Sequence, residues 1–271
     1  MVAREAPSER LPADPDRLYK TEAVVLKQAS IGEADRLLTL YTPHHGKLRA
    51  VARGVRRTKS KLSGHVEPLV HCRLLLVRGR TMDVVSQAET VSSFTRLRSN
   101  LEATARAVYS CELVDAFAPD AAANPGIFAL LLSTLGRLDD GEQEVALRWY
   151  ELRLLQLTGF RPELRQCAEC GGPLPPDACG FSAESGGALC PPCREVAASR
   201  ERAQFPTAVS LNALKSLRYL QGQEYAEARR LRLPAPLALE MEGLLRMYLR
   251  SVLEREVKST GFLDHLRRGV G

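Results

Sequence analysis

No apolar run in the chain approaches the roughly 20 residues that a membrane-spanning helix needs, so no span is expected. The first 18 residues (MVAREAPSERLPADPDRL) mix proline with charges of both signs and lack the apolar stretch of a secretory signal. We expect residues 1–18 to form a disordered extension, and the protein to work in the reducing cytoplasm. Sequence signatures of catalysis are also missing. There is no G-x-x-x-x-G-K-S/T loop and no dinucleotide fingerprint. A zinc deaminase would carry P-C-x-x-C, but Leu189 precedes Cys190. His44-His45 sits between Pro43 and Gly46 with no carboxylate or cysteine at ligand spacing, which reads as an exposed turn. The acidic group Asp139, Asp140, Glu142 and Glu144 could hold Mg²⁺ in a nuclease. It stands at an expected helix start, however, where carboxylates simply complement the helix dipole.

What the chain does have is two C-x-x-C pairs. Cys167-Ala168-Glu169-Cys170 and Cys190-Pro191-Pro192-Cys193 are separated by 19 residues, a spacing that suits one tetrahedral zinc ion. With four sulfur ligands no position is left for water or substrate, so the expected site is structural. Cys179 lies between the pairs and is surplus. Cys72 and Cys111 stand alone in apolar surroundings and read as inert buried thiols.

Along the chain, residues 20–95 read as short strands. Glu22–Lys27, Arg36–Thr42, Lys47–Arg53, Val70–Val77 and Thr81–Gln87 are separated by turn residues, and Glu89–Phe94 could extend the sheet. Five or so such strands at close spacing predict a small barrel or sandwich. The period then becomes helical. Helices are expected over Leu101–Phe117, Pro125–Leu138, Glu142–Thr158, Thr207–Gln221 and Leu237–Glu256. Residues 142–158 are apolar on two faces, as in the central helix of a bundle. The reading is a multidomain α+β chain: a small β-barrel over about 19–96, then an all-α region over 97–271 carrying a zinc insert near 165–195.

Net charge is +6, but its distribution says more. Residues 47–61 (KLRAVARGVRRTKSK) hold seven cations, Lys47, Arg49, Arg53, Arg56, Arg57, Lys59 and Lys61, and no acid. In a strand over 47–53, Lys47, Arg49 and Arg53 share one face. The rest runs into a flexible polar loop, and Arg78 and Arg80 add charge nearby. A solvated charged face is the plain alternative. Seven like charges repel one another unless a polyanion relieves them, which favours nucleic acid. Tyr41 and the more distant Phe94 are the aromatics near this stretch, so backbone contact is favoured over base stacking. Lys258, Arg267 and Arg268 could extend the basic surface or simply end a helix. A zinc-ribbon transcription or RNA-binding factor is the competing reading. It would use the cysteine module as its contact surface, yet residues 167–193 contain no lysine or arginine.

Several of these segments together resemble the RecO family of bacterial recombination-repair proteins: Ile31–Leu40 (IGEADRLLTL), Gly46-Lys47-Leu48, Ala52–Arg57 with Lys59–Leu62, Ala88-Glu89, Cys111–Val114, Phe181-Ser182, Gly186-Gly187, Leu189-Cys190 and Lys258-Ser259. The resemblance runs from about residue 20 to the end. It implies an OB-fold followed by a helical domain. It also implies a non-enzymatic mediator, nucleoid-associated, that binds single- and double-stranded DNA and anneals complementary strands. The implied partners are RecR, the single-strand-binding protein through its C-terminal tail, and indirectly RecA. Some members lack the cysteines, so zinc is not demanded by the family's function; here all four are present.

Overall fold

In the computed structural model, residues 17–142, 144–176, 179–200, 206–254 and 257–268 are described. Residues 1–16, most of the expected extension, lie outside them. Five strands, β1 (Leu18–Ile31), β2 (Asp35–Thr42), β3 (Gly46–Ala52), β4 (His71–Val77) and β5 (Asp83–Ser92), close into a barrel in the order β1-β2-β3-β5-β4. Closure depends on β1, which is long enough to serve two neighbours. Its first half pairs with β4, from Leu18↔Val77 to Val24↔His71, and its second half pairs with β2, down to Ile31↔Asp35. An irregularity between Val25 and Lys27 lets the strand bend. The seam is the short parallel contact Ala50↔Asp83 and Val51↔Val84.

Strand alternation sorts the side chains. Ala23, Val25, Leu38, Leu40, Ala50, Ala52, Cys72, Leu74, Leu76 and Val85 point inward and form the barrel core. The expected pieces Thr81–Gln87 and Glu89–Phe94 are one strand, β5, whose register shifts opposite β4.

The helices follow: α1 (Thr95–Ser99), α2 (Leu101–Phe117), α3 (Pro125–Asp139) and α4 (Glu144–Leu157). Asn100 and Asn124 cap α2 and α3, each side chain accepting from the N–H three residues on. Helix α4 is buried on nearly every side, as its double apolar face predicts. It also carries two buried charges. Arg148 and Glu151 pair at 3.1 Å, and the Tyr109 hydroxyl donates to Glu151 at 2.8 Å. Later come α5 (Pro191–Ala198), α6 (Leu211–Gly222), α7 (Tyr225–Ala228), α8 (Ala235–Leu253) and α9 (Ser259–Arg268).

The region after the barrel is not all-α. Strands β6 (Gly180–Ser182), β7 (Gly187–Leu189) and β8 (Thr207–Ala208) form a small sheet in the order β7-β6-β8. Thr207-Ala208, expected to open a helix, pairs instead with β6, and α6 starts at Leu211 behind the Ser210 cap. Two- and three-residue strands carry no readable period.

The barrel and helices share one core. Val24, Leu26, Tyr41, Leu69 and Phe94 from the barrel side pack with α2, α3 and α4. At Gly46 (φ +64°) a Cβ would lie 2.2 Å from the Ala122 carbonyl, so no larger residue fits this crossing.

Candidate nucleic-acid interface and thiolate cluster

The basic stretch occupies β3 and the connection from Arg53 to Val70. The expected flexible loop is a fastened one. Val55 and Val66 are buried in the barrel core, and Leu62 packs against it. Arg56 N–H donates to the Ala34 carbonyl at 3.0 Å, and Gly54 N–H to Asp35 Oδ1 at 2.7 Å. Farther along, His65 Nδ1 and Thr90 Oγ1 lie 2.8 Å apart. With its apolar residues inserted, the connection turns its charges outward: Arg53, Arg56, Arg57, Lys59 and Lys61 are all exposed. Arg49, on β3, is exposed too. None of these six has an ion-pair partner among the described residues.

The turn between β4 and β5 comes to the same end of the barrel, because Ala50↔Asp83 places the start of β5 beside β3. It brings Arg80, exposed and without an ion pair among the described residues. Arg78 is exposed as well, but its guanidinium stacks 4.8 Å above the Tyr19 ring.

Lys47 does not join this group. Its ammonium sits 3.2 Å from Asp120, 3.7 Å from Asp115 and 2.8 Å from the Asp115 carbonyl oxygen, and its side chain is only 15% exposed. Lys27 meets the same Asp115 at 2.5 Å. Lys47 therefore ties the barrel to the helices. Residue spacing could not reveal this, because the partners lie about seventy residues downstream and only the fold brings them in. At the start of α9, the backbone N–H groups of Lys258, just before the helix, and Ser259 are held by the Glu112 carboxylate at 2.7 and 2.8 Å. The side chains of Arg267 and Arg268 lie outside those described.

The two C-x-x-C pairs do meet. The sulfurs of Cys167, Cys170, Cys190 and Cys193 all lie within 4.8 Å of one another. Cys170 and Cys190 are 3.8 Å apart, the edge expected of a tetrahedron whose metal–sulfur bonds are about 2.3 Å. The first pair rides a tight turn in which Gly171 (φ +69°) returns its N–H to the Cys167 carbonyl. The second pair opens α5, with Cys190 as its N-cap residue. Burial raises the Cys167 thiol, but the backbone N–H groups of Cys170, Cys190 and Glu169 outweigh it and hold the thiol at about 6. Cys193 is pushed up to about 12 by hydrogen bonds with Cys190 and Cys170. Four thiols this close cannot all ionise unless a cation compensates them, so the donor set fits a thiophilic metal ion.

Cys179 stays apart. It is buried and its thiol donates to the Pro175 carbonyl at 3.0 Å. Cys72 and Cys111 are buried, and burial pushes each up to about 12. His65-Val66-Glu67 has the H-x-E spacing of a deaminase, but Glu67 pairs with Arg36 at 2.6 Å in the barrel and the thiolate cluster contains no histidine.

These features define a class: a barrel with a cationic end that lacks ion-pair partners among the described residues, fused to a helical body that carries a four-cysteine cluster. The comparisons specify it further. Residues 17–94 match the family described as Recombination protein O N terminal, and residues 98–261 match Recombination protein O C terminal. The chain is 42% identical over 250 residues to a DNA repair protein RecO of Dehalococcoides mccartyi, covering 92% of this chain and 96% of the relative. It is 44% identical over 254 residues to the same-named protein of Roseiflexus sp., covering 93% and 87%. The chain belongs to the RecO family, and its role lies in recombination repair. Among the described residues no helix is long and apolar enough to cross a membrane.

Proposed function

We propose that this protein is a non-enzymatic recombination mediator that binds single- and double-stranded DNA and anneals complementary strands. The observation that carries the reading is the outward set Arg49, Arg53, Arg56, Arg57, Lys59 and Lys61, fastened by buried valines and lacking ion-pair partners among the described residues. Arg80 and Arg78 extend it from the neighbouring turn. Cations on a fixed surface meet phosphates without reading bases, so binding is steeply salt-dependent and tolerant of sequence. Arg53, Arg56, Arg57, Lys59 and Lys61 screen two backbones at once, which lowers the repulsion that keeps complementary strands apart.

In this reading the barrel is an OB-fold, a small five-stranded barrel. The four cysteines hold one structural zinc ion that pins the β6–β8 module. The protein works in the cytoplasm at the nucleoid. RecR binds it, the tail of the single-strand-binding protein docks on it, and RecA loads on the strand that is freed. A zinc-ribbon transcription or RNA-binding factor is disfavoured, because the cysteine module between Cys167 and Cys193 has no cation to offer a phosphate. The test is annealing of complementary oligonucleotides without ATP. Acceleration by the wild type, abolished in Arg56→Glu/Arg57→Glu/Lys59→Glu protein of unchanged metal content, is expected. Equal acceleration by both proteins would move the site elsewhere.

A further inference from the structure

The four clustered thiols are not equally reachable. Cys167 is 1% exposed and Cys190 9%, Cys193 is half-buried, and Cys170 is exposed. At Gly172 a Cβ would lie 3.3 Å from the Cys170 sulfur, so glycine there keeps that side open. Within the cluster the Cys170 sulfur faces that of Cys190 at 3.8 Å. The Cys167 sulfur is engaged elsewhere, accepting the Cys190 backbone N–H at 3.4 Å.

Contacts that need no metal hold this pairing. Ala168 N–H donates to the Ala188 carbonyl at 2.8 Å, which ties the first C-x-x-C turn to β7 just ahead of Cys190. Glu169, inside the first turn, accepts both terminal guanidinium nitrogens of Arg200 at 3.0 and 3.2 Å and the Ser185 hydroxyl at 2.7 Å. Arg200 lies just past α5, the helix that Cys190 precedes. The two turns are therefore kept side by side by a backbone bond and a bidentate ion pair.

We propose that Cys170 and Cys190 are a peroxide-reactive pair, which closes into a disulfide across the two turns and staples the module when the metal is lost. The proposal rests on the metal-binding reading above. A metal-bound thiol is deprotonated, and the thiolate is the form that attacks peroxide. The Cys170 thiolate attacks hydrogen peroxide, breaking the O–O bond, forming a sulfenic acid and releasing hydroxide. The Cys190 thiolate then attacks that sulfur and displaces the second hydroxide. Two electrons pass from the sulfurs to the peroxide, which ends as two waters once protons arrive from solvent. The sulfurs must close from 3.8 Å to about 2.05 Å. Cys167 and Cys193 are then left as two thiolates, too few for a tetrahedral site. A dithiol reductant reverses the step by exchange. Cys72, Cys111 and Cys179 are buried and take no part.

The test treats the full chain, as purified with its metal, with one equivalent of hydrogen peroxide. No lysine or arginine lies between Cys167 and Cys193, so the alkylated protein is cut after glutamate. Cleavage at Glu169, Glu184 and Glu195 puts Cys167, Cys170 and Cys190 on three separate peptides. Mass spectrometry should find Cys170 joined to Cys190, and zinc should appear on a chromogenic chelator in step with the cross-link. Dithiothreitol with zinc should restore the starting masses and metal content. Oxidised protein should keep the unfolding temperature that metal-stripped, reduced protein loses. Cys193→Ser should still form the cross-link, whereas Cys190→Ser should carry Cys170 on to sulfinic acid. Disulfides confined within Cys167–Cys170 or Cys190–Cys193, or sulfinic acid at Cys170 of the wild type without a cross-link, would overturn the proposal. An unfolding temperature as low as that of the metal-stripped, reduced protein would overturn the staple. Purified protein without metal would sink the zinc reading alone, and the mapped disulfide would still judge the pair.

Discussion

Replacing Arg56, Arg57 and Lys59 with alanine removes three of the six exposed cations of the stretch 47–61 without touching the buried valines that fasten it. If all six meet phosphates, the slope of log K against log salt on duplex DNA is about −5.4. Three fewer contacts bring it to about −2.7. If the two proteins converge near 1 M salt, the difference at 0.1 M is about 2.7 decades, or about 500-fold in affinity. Because β3 and the barrel core are untouched, the thermal unfolding temperature should not move. The assay is fluorescence anisotropy of a labelled duplex across a series of salt concentrations. A variant slope equal to that of wild type would refute the reasoning, even if affinity fell, because it would mean that these residues do not displace counterions.

Three further outcomes follow. Purified protein should contain one zinc ion per chain by elemental analysis, and Cys190→Ser should lose it and lower the unfolding temperature while DNA affinity below that temperature persists; full metal content in that variant would contradict the four-thiolate site. Lys47→Met should lower unfolding free energy by about 2 kcal/mol in urea titrations, since Asp115 and Asp120 lose a shared partner, with no change in the salt slope of DNA binding; a changed slope would return Lys47 to the interface. Glu151, fully buried, has its carboxyl held up to about 7 by burial, against the opposing pull of Arg148. Between about 4.5 and 7 the folded protein therefore holds a proton there that the unfolded chain has released, so this residue's contribution to stability is full at low pH and is lost as pH rises through that window. Glu151→Gln should narrow the difference in unfolding free energy between pH 5 and pH 8, and an unchanged difference would show that Glu151 does not titrate there.

The parts of the molecule legible in its sequence are those governed by local period and spacing. Lys47–Arg53 alternates, and β3 buries Ala50 and Ala52 while exposing Arg49. The two C-x-x-C turns were readable because metal spacing is short-range, and their sulfurs do converge. Helix α2 keeps its expected bounds, Leu101–Phe117. What could not be read depends on distant contacts. The first strand was expected only over Glu22–Lys27 but runs from Leu18 to Ile31, because its two halves answer to different neighbours. The sheet β6–β8 is held partly by the backbone of Glu163, which pairs with Gly186 and Ala188, and not by any side-chain pattern. Lys47 reads as one more cation until Asp115 and Asp120 are brought beside it.

The central claim, that fixed cations neutralise two backbones and so let strands pair, is tested most directly by annealing complementary strands precoated with single-strand-binding protein, without ATP. Wild-type protein should accelerate pairing, with the acceleration falling steeply as salt rises, and the Arg56→Glu/Arg57→Glu/Lys59→Glu variant should leave the coated strands apart. Duplex binding by wild type without any acceleration would contradict the account and bring forward the reading of a zinc protein whose basic surface serves another nucleic acid.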